Sequence, residues 1–212
     1  MARCFLAALA ALFLMEDPAG AAEPPGSPDV AKAQRTLAEL CAHTACRTTP
    51  WRFTLRLSDG GTLESPVQPY PYLDDHGQLY IFPGETIGLA VQSDSSGIGY
   101  PELAEVSNPA GPVTLNTSRK ATLTFSFFQM EGKPDMMLRV VNTTNATLRY
   151  DATLYLPAGN GVRSVRTSTC PVPQPQPGAP AFSGFEQWPQ PILMLIVTNI
   201  RAVEKTASMA CQ

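Results

Sequence analysis

Ala121-Thr122-Leu123-Thr124-Phe125-Ser126-Phe127, continued beyond Lys133-Pro134-Asp135 by Met136-Met137-Leu138-Arg139-Val140-Val141, decides the fold of this 212-residue chain. Ala121, Leu123, Phe125 and Phe127 fall on one side of the first stretch, and Thr122, Thr124 and Ser126 on the other. That period of two is what a strand with one buried and one wet face requires. Asn142-Thr143-Thr144-Asn145 reads as a turn, because Asn tolerates positive φ. The chain is then expected to return as Ala146, Leu148, Tyr150, Ala152 and Leu154, interleaved with Thr147, Arg149, Asp151, Thr153 and Tyr155. Three such strands form an antiparallel meander whose apolar set needs a second sheet over it.

The same pattern extends in both directions. Trp51, Phe53, Leu55 and Leu57 alternate with Arg52, Thr54 and Arg56, and Asp59-Gly60-Gly61 turns this strand into residues 62–65. Residues 66–72 are too rich in proline for a central strand and read as an edge or a loop. Asp74-Asp75-His76-Gly77 feeds a strand over residues 78–82, and Pro83-Gly84-Glu85-Thr86 turns into another over 87–92. Residues 100–112 read as an irregular surface loop. Downstream, a turn at 157–161 leads to a short strand at 162–167, a polyproline-like spacer at 171–178 and a central strand at 192–203. Eight or nine strands at intervals of roughly 8 to 12 residues predict a mainly β fold, an immunoglobulin-like antiparallel β-sandwich, with barrel closure as the alternative.

The N-terminus reads as a secretory signal peptide. Arg3 supplies the positive charge, residues 4–15 the apolar core, and Ala19-Gly20-Ala21-Ala22 the small residues of a cleavage site. That core is shorter than the roughly 20 residues a bilayer span needs. Residues 1–22 are therefore assigned to the signal peptide, 23–50 to a lead-in with one short helix, and 51–212 to the β domain. Ser27-Pro28-Asp29 is a helix start, and Val30, Ala33, Leu37, Leu40 and Cys41 recur at helical spacing as far as about Ala42. The run at 192–197 is bounded by Pro191 and Thr198 and reads as a buried strand, leaving no membrane span after signal cleavage.

A formal net charge of −3, with Lys and Arg scattered, lacks the electrostatic footprint of a nucleic-acid or anionic-membrane binder. Five cysteines become four once Cys4 leaves with the leader. An even number in an exported chain argues for disulfides, and four allow three connectivities. Proximity favours Cys41–Cys46, which leaves Cys170–Cys211 to tie down the C-terminal tail. Cys41-Ala42-His43-Thr44-Ala45-Cys46 puts an imidazole between two thiols, but a zinc site needs further ligands and the only other histidine is His76. No metal and no cofactor are expected.

The segment from Met137 to Asn142 through Leu148 to Leu154 resembles the paired strands of immunoglobulin-like and fibronectin-like modules, with Asp151 and Tyr155 at a spacing similar to a tyrosine corner. Pro157 stands where an antibody-type domain carries its cysteine. The general pattern is similar to that of exported bacterial proteins with an immunoglobulin-like sandwich. The resemblance covers about half of the chain and implies no chemistry.

Candidate chemistry is sparse. His43 and His76 are the only bases for a hydrolytic triad, and Ser96-Gly97-Ile98-Gly99 lacks the order of a nucleophile elbow. Asp74, Asp75, Glu64, Glu85, Glu102 and Glu105 are the available carboxylates, most of them in turns where they satisfy backbone donors. Tyr70, Tyr72 and Tyr80 cluster around a proline-rich edge, and Phe185 with Trp188 flanks another; exposed rings of this kind suit sugar or peptide binding. Asn116, Asn142 and Asn145 open glycosylation sequons, used only in a eukaryotic secretory route. The expectation is a periplasmic or secreted, non-catalytic binding or structural protein whose partner is an envelope protein or a glycan. A carbohydrate-binding module using Tyr70, Tyr72, Tyr80 and Trp188, and an enzyme of unrecognised type, are the alternatives.

Overall fold

The computed structural model describes Glu39, Cys41, Ala42, residues 44–94, 97–115, 117–159 and 161–204, and Cys211. The leader, most of the expected N-terminal helix, His43, Ser96 and Asn116 lie outside these residues. Glu39, Cys41 and Ala42 are helical.

Fourteen strands follow: β1 (Trp51–Arg56), β2 (Thr62–Val67), β3 (Leu79–Ile81), β4 (Thr86–Ala90), β5 (Ser93–Asp94), β6 (Gly97–Ile98), β7 (Glu102–Asn108), β8 (Gly111–Pro112), β9 (Leu123–Gln129), β10 (Met136–Asn142), β11 (Thr147–Ala158), β12 (Gly161–Thr167), β13 (Phe182–Trp188) and β14 (Met194–Val203). They form a six-stranded sheet in the order β13-β10-β9-β4-β7-β8, a four-stranded sheet β12-β11-β14-β3, and the hairpins β1-β2 and β5-β6. All named pairings are antiparallel.

The period of two becomes burial directly. In β1 buried and exposed residues alternate at every position, and Leu123, Phe125 and Phe127 of β9 are sealed from solvent while Thr124 and Ser126 are not. One core joins both large sheets. Phe125 of β9 meets Tyr150 of β11 edge to face at 5.5 Å between ring centroids, and Trp188 Nε1 of β13 donates to Thr167 Oγ1 of β12 at 3.1 Å. Complete burial of side chains such as Phe125, Leu138, Leu148 and Leu195 stabilises the fold by about 1.5–3 kcal/mol each. The chain is thus mainly β, with antiparallel sheets and almost no helix among the described residues, an arrangement that suits a β-sandwich.

Three expectations are corrected. The meander ends after β10, because β11 pairs with β12 and β14 in the other sheet and β13 takes the place beside β10. Asn142 explains the crossing. Its Nδ2 donates to the carbonyls of Ala146, Val172 and Pro173, and its Oδ1 accepts from the N–H and hydroxyl of Thr144. A buried amide so occupied folds residues 142–146 into a link between layers and leaves no room for a glycan at Asn142. The two strands of the immunoglobulin-like resemblance, β10 and β11, accordingly lie in different sheets.

Residues 100–112 are not irregular, since β7 lies within them. Opposite β7, Gly88 pairs with Glu105 and Leu89 with Leu103, so Ala104 is an extra residue. Such a bulge breaks the alternation by which a strand is recognised in a sequence. Gly88 is required there, because a Cβ on it would come within 2.6 Å of the Ala121 Cβ. Pro157 does not end a strand either, for β11 continues to Ala158. The segment after Cys170 is partly built in: Val172 exchanges both backbone hydrogen bonds with Leu148.

Disulfides join Cys41 to Cys46 and Cys170 to Cys211. Cross-links of this kind agree with an extracellular or periplasmic setting. No helix among the described residues is long and apolar enough to cross a membrane.

Candidate functional site

The aromatic cluster at the proline-rich edge is mostly interior. Tyr72 is 1% exposed, and Tyr80 and Trp188 are each 8% exposed, which leaves only Tyr70, at 37%, of the four rings expected to form a binding platform. Each buried ring has a structural partner. The Tyr80 hydroxyl donates to Asp74 Oδ2 at 2.9 Å, the Tyr72 hydroxyl accepts from Asn108 Nδ2 at 2.8 Å, and Trp188 packs against Phe127. Tyr70 stands edge-on to Tyr80.

Arg47 organises this region. Its Nε and one terminal nitrogen donate to the two Glu85 oxygens at 2.7 and 2.5 Å, and the remaining donors go to the carbonyls of Tyr70, Pro71 and Tyr80. The guanidinium lies 4.2 Å from the Tyr72 ring centroid and 4.8 Å from that of Phe82. Glu85 is presented by the Pro83-Gly84 turn, with Gly84 at φ 92° and the Glu85 N–H donating to the Phe82 carbonyl. A fully satisfied fork of this sort is a structural joint between Arg47, residues 70–71, β3 and the turn that precedes β4. The adjacent cleft of about 290 Å³, lined by Cys46, Thr48, Asn108 and Leu115 among others, therefore receives no unpaired cation from Arg47.

The candidate catalytic groups are dispersed. Asp74 accepts the N–H groups of His76 and Gln78 as well as the Tyr80 hydroxyl, so it is a turn residue. His76 and Asp75 form an exposed pair at 3.6 Å, Glu64 faces Arg52, and Glu102 faces Arg119. Glu105 lies under Gly88. Among the described residues no three His, Cys, Asp or Glu side chains are grouped to hold a metal ion.

A second polar joint lies between the sheets. Glu186 Oε1 accepts from the Tyr150 hydroxyl at 2.7 Å and from the Cys170 N–H at 3.1 Å, and the Thr169 hydroxyl donates to the Tyr150 carbonyl. Burial pushes the Glu186 carboxyl above the usual glutamate range, and the Tyr150 and Cys170 donors oppose the shift. The native state thus holds the proton more tightly than the unfolded chain. Stability is highest below the ordinary glutamate value, falls as pH rises through the window up to the raised one, and stays lowered above it. Glu186→Gln, which keeps an acceptor without the charge, is expected to flatten this fall. Urea unfolding from about pH 4 to about pH 7 checks it, and parallel slopes in the two proteins would refute it.

Tyr70, Tyr100 and Val162 are exposed singly, whereas the outer face of β9, β10 and β13 carries two exposed aromatic rings, Phe128 and Phe185. Register places Phe128, Met137 and Gln187 in one row across these strands, Ser126, Arg139 and Phe185 in the next, and Thr124, Val141 and Ser183 in a third. Phe185 is 60% and Phe128 36% exposed, and Met137 and Val141 are half-buried. Arg139 lies among them, with Nε donating to Ser183 Oγ. An outward sheet face is ordinarily polar, so this cluster of large apolar side chains is the feature that packing does not account for. Phe185 was legible in the sequence as an aromatic beside Trp188; Phe128 and Met137 were not, because each adjoins the inward residue of its strand.

Comparison with models of protein families, with curated proteins and with solved structures gives no match in any of the three.

Proposed function

We propose that the chain is an exported, non-catalytic binding module of the immunoglobulin-like sandwich type, acting in the periplasm or outside the cell through the outer face of β9, β10 and β13. The observation that carries this reading is Phe185, a large apolar side chain 60% exposed on a sheet face that also bears Phe128, Met137 and Val141. Exposed patches of this kind mark interaction surfaces. The signal-peptide pattern at residues 3–22 and the two disulfides support export. A sugar-binding reading keeps only Tyr70 of its four rings.

The test is a photo-reactive phenylalanine analogue placed at position 185 in the exported protein of living cells, with the same analogue at Val162 as a control. Val162 is 58% exposed but belongs to the other sheet. Cross-linked protein is expected from position 185 and not from 162. A position-185 variant that is exported and folded yet never cross-links would remove the proposal.

A further inference from the structure

The pairings of β9, β10 and β13 set nine outward positions in a square, and Arg139 is its centre. Met137 and Val141 lie on either side of it along β10, Ser126 and Phe185 flank it across the neighbouring strands, and Phe128 occupies a corner. None of the other eight positions is charged. Arg139 is exposed, and its one hydrogen bond among the described residues runs from Nε to Ser183 Oγ. Both terminal nitrogens are left without an acceptor there. Asp135 is held by Gln187 and stands four residues along the chain, about 13 Å of extended backbone. Glu105 lies three strands away on β7, about 14 Å across the sheet. Both separations exceed the roughly 8 Å screening length of physiological salt, so neither carboxylate answers the guanidinium.

This placement decides what can cover the face. A surface broad enough to bury Phe128 and Phe185 together also covers the stretch of β10 between them, guanidinium included. A charge taken out of water without a counter-charge is strongly unfavourable, which excludes a wholly apolar or a basic partner surface. A carboxylate accepts the two terminal N–H groups side by side, in the fork geometry that arginine presents. We propose that the face receives a segment of another protein in which an aspartate or glutamate stands among large apolar side chains, its carboxylate on Arg139 and the apolar groups on Phe128, Met137 and Phe185. This rests on the reading of the Phe185 face as a binding surface and names the chemistry of its occupant. A lipid phosphate would satisfy the same fork. Apolar side chains border Arg139 on three sides, however, and call for apolar groups within a side chain's length of the anion. A polypeptide supplies that arrangement, and a headgroup ringed by other headgroups does not. Aromatic residues and arginine are also the side chains on which interface energy concentrates.

A library of random dodecapeptides displayed on phage reads the result, selected on the full chain exported so that both disulfides form and counter-selected on Phe185→Lys. Selected sequences are expected to carry an aspartate or glutamate within two residues of large apolar ones. For a selected peptide made synthetically, Arg139→Gln should raise Kd by at least roughly 10-fold, and Arg139→Lys by less, since the charge survives without the fork. Exchanging the acid of the peptide for its amide should weaken binding to the wild type equally and binding to Arg139→Gln very little, a coupling that a direct pair produces. Phe185 and Arg139 are exposed, so these variants should fold, and near-ultraviolet circular dichroism and melting curves check that they do. Peptides lost on Phe185→Lys that show no acidic bias, or that are indifferent to Arg139→Gln, overturn the inference and leave the binding surface standing. Phosphatidylglycerol vesicles that bind the wild type and not Phe185→Lys, where no peptide is selected, overturn it in favour of a lipid. A selection that yields nothing overturns it too, and cross-linking from position 185 then decides alone whether the binding surface stands.

Discussion

Arg47→Met is expected to destabilise the fold by about 3–5 kcal/mol, the cost of leaving one half of a buried ion pair alone. Arg47 is 2% exposed and Glu85 is 1% exposed, so neither is rescued by water. Removal of the guanidinium leaves the Glu85 carboxylate, among the described residues, with only the Phe82 N–H, at 2.8 Å, and strips the carbonyls of Pro71 and Tyr80 of their side-chain donor. The Tyr72 and Phe82 rings lose the cation they contact. Adding Glu85→Leu to Arg47→Met should recover part of the loss, since an apolar pair of similar volume often replaces a buried ion pair at little cost. Full recovery is not expected, because the Phe82 N–H and the two carbonyls stay unpaired. Urea denaturation at neutral pH measures all three proteins. A loss below about 1 kcal/mol for Arg47→Met would place the pair in the class of surface bridges and overturn the assignment.

The second large effect is at the tail. Replacing both Cys170 and Cys211 by serine should cost about 4 kcal/mol on chain-entropy grounds, because the bond closes a loop between residues 41 apart. The same change at Cys41 and Cys46, only 5 apart, should cost about 2 kcal/mol. The order of the two losses is the informative result. Cys170 also donates its N–H to Glu186, so loosening it disturbs the joint with Tyr150. Thermal unfolding of the two double variants beside the wild type decides it; a larger loss for the short loop would mean that native contacts of residues 41–46, not loop closure, dominate.

The layers were legible wherever one strand face is wet. Trp51, Phe53 and Leu55, or Leu123, Phe125 and Phe127, alternate with polar residues because one side of each strand meets water, and all six are buried. Connectivity was less legible. Asn142-Thr143-Thr144-Asn145 has hairpin composition, and nothing local states that the Asn142 amide will be claimed by Val172 and Pro173, 30 and 31 residues onward. β7 was hidden by the extra residue Ala104, which puts Leu103 and Val106 at a spacing foreign to strands. A bulge in β14 is similar: between the Arg149–Arg201 and Asp151–Thr198 pairs, Asn199 takes φ 52° and donates to Asp151. Arg47 gave no signal at all, since an arginine after a cysteine looks like any surface cation, and Glu85 looks like any turn acid. Burial of charge is a tertiary event, settled only when Tyr70, Pro71 and Tyr80 supply their carbonyls. Tyr72, Tyr80 and Trp188 show the reverse: aromatic residues near prolines suggest a platform, but three of the four rings serve the interior.

The place of β14 bears on how the molecule is made. It is the last strand among the described residues, yet it lies between β11 and β3, and β3 otherwise bridges only to Leu73 and Tyr72 among those residues. A polypeptide emerging amino end first cannot complete this layer until Met194–Val203 has been delivered, however early Leu79–Ile81 was. Assembly thus waits on the finished product, and long-range pairings of this sort form slowly. Under the export proposed above, which would thread the chain through a membrane in extended form, such a delay is an advantage.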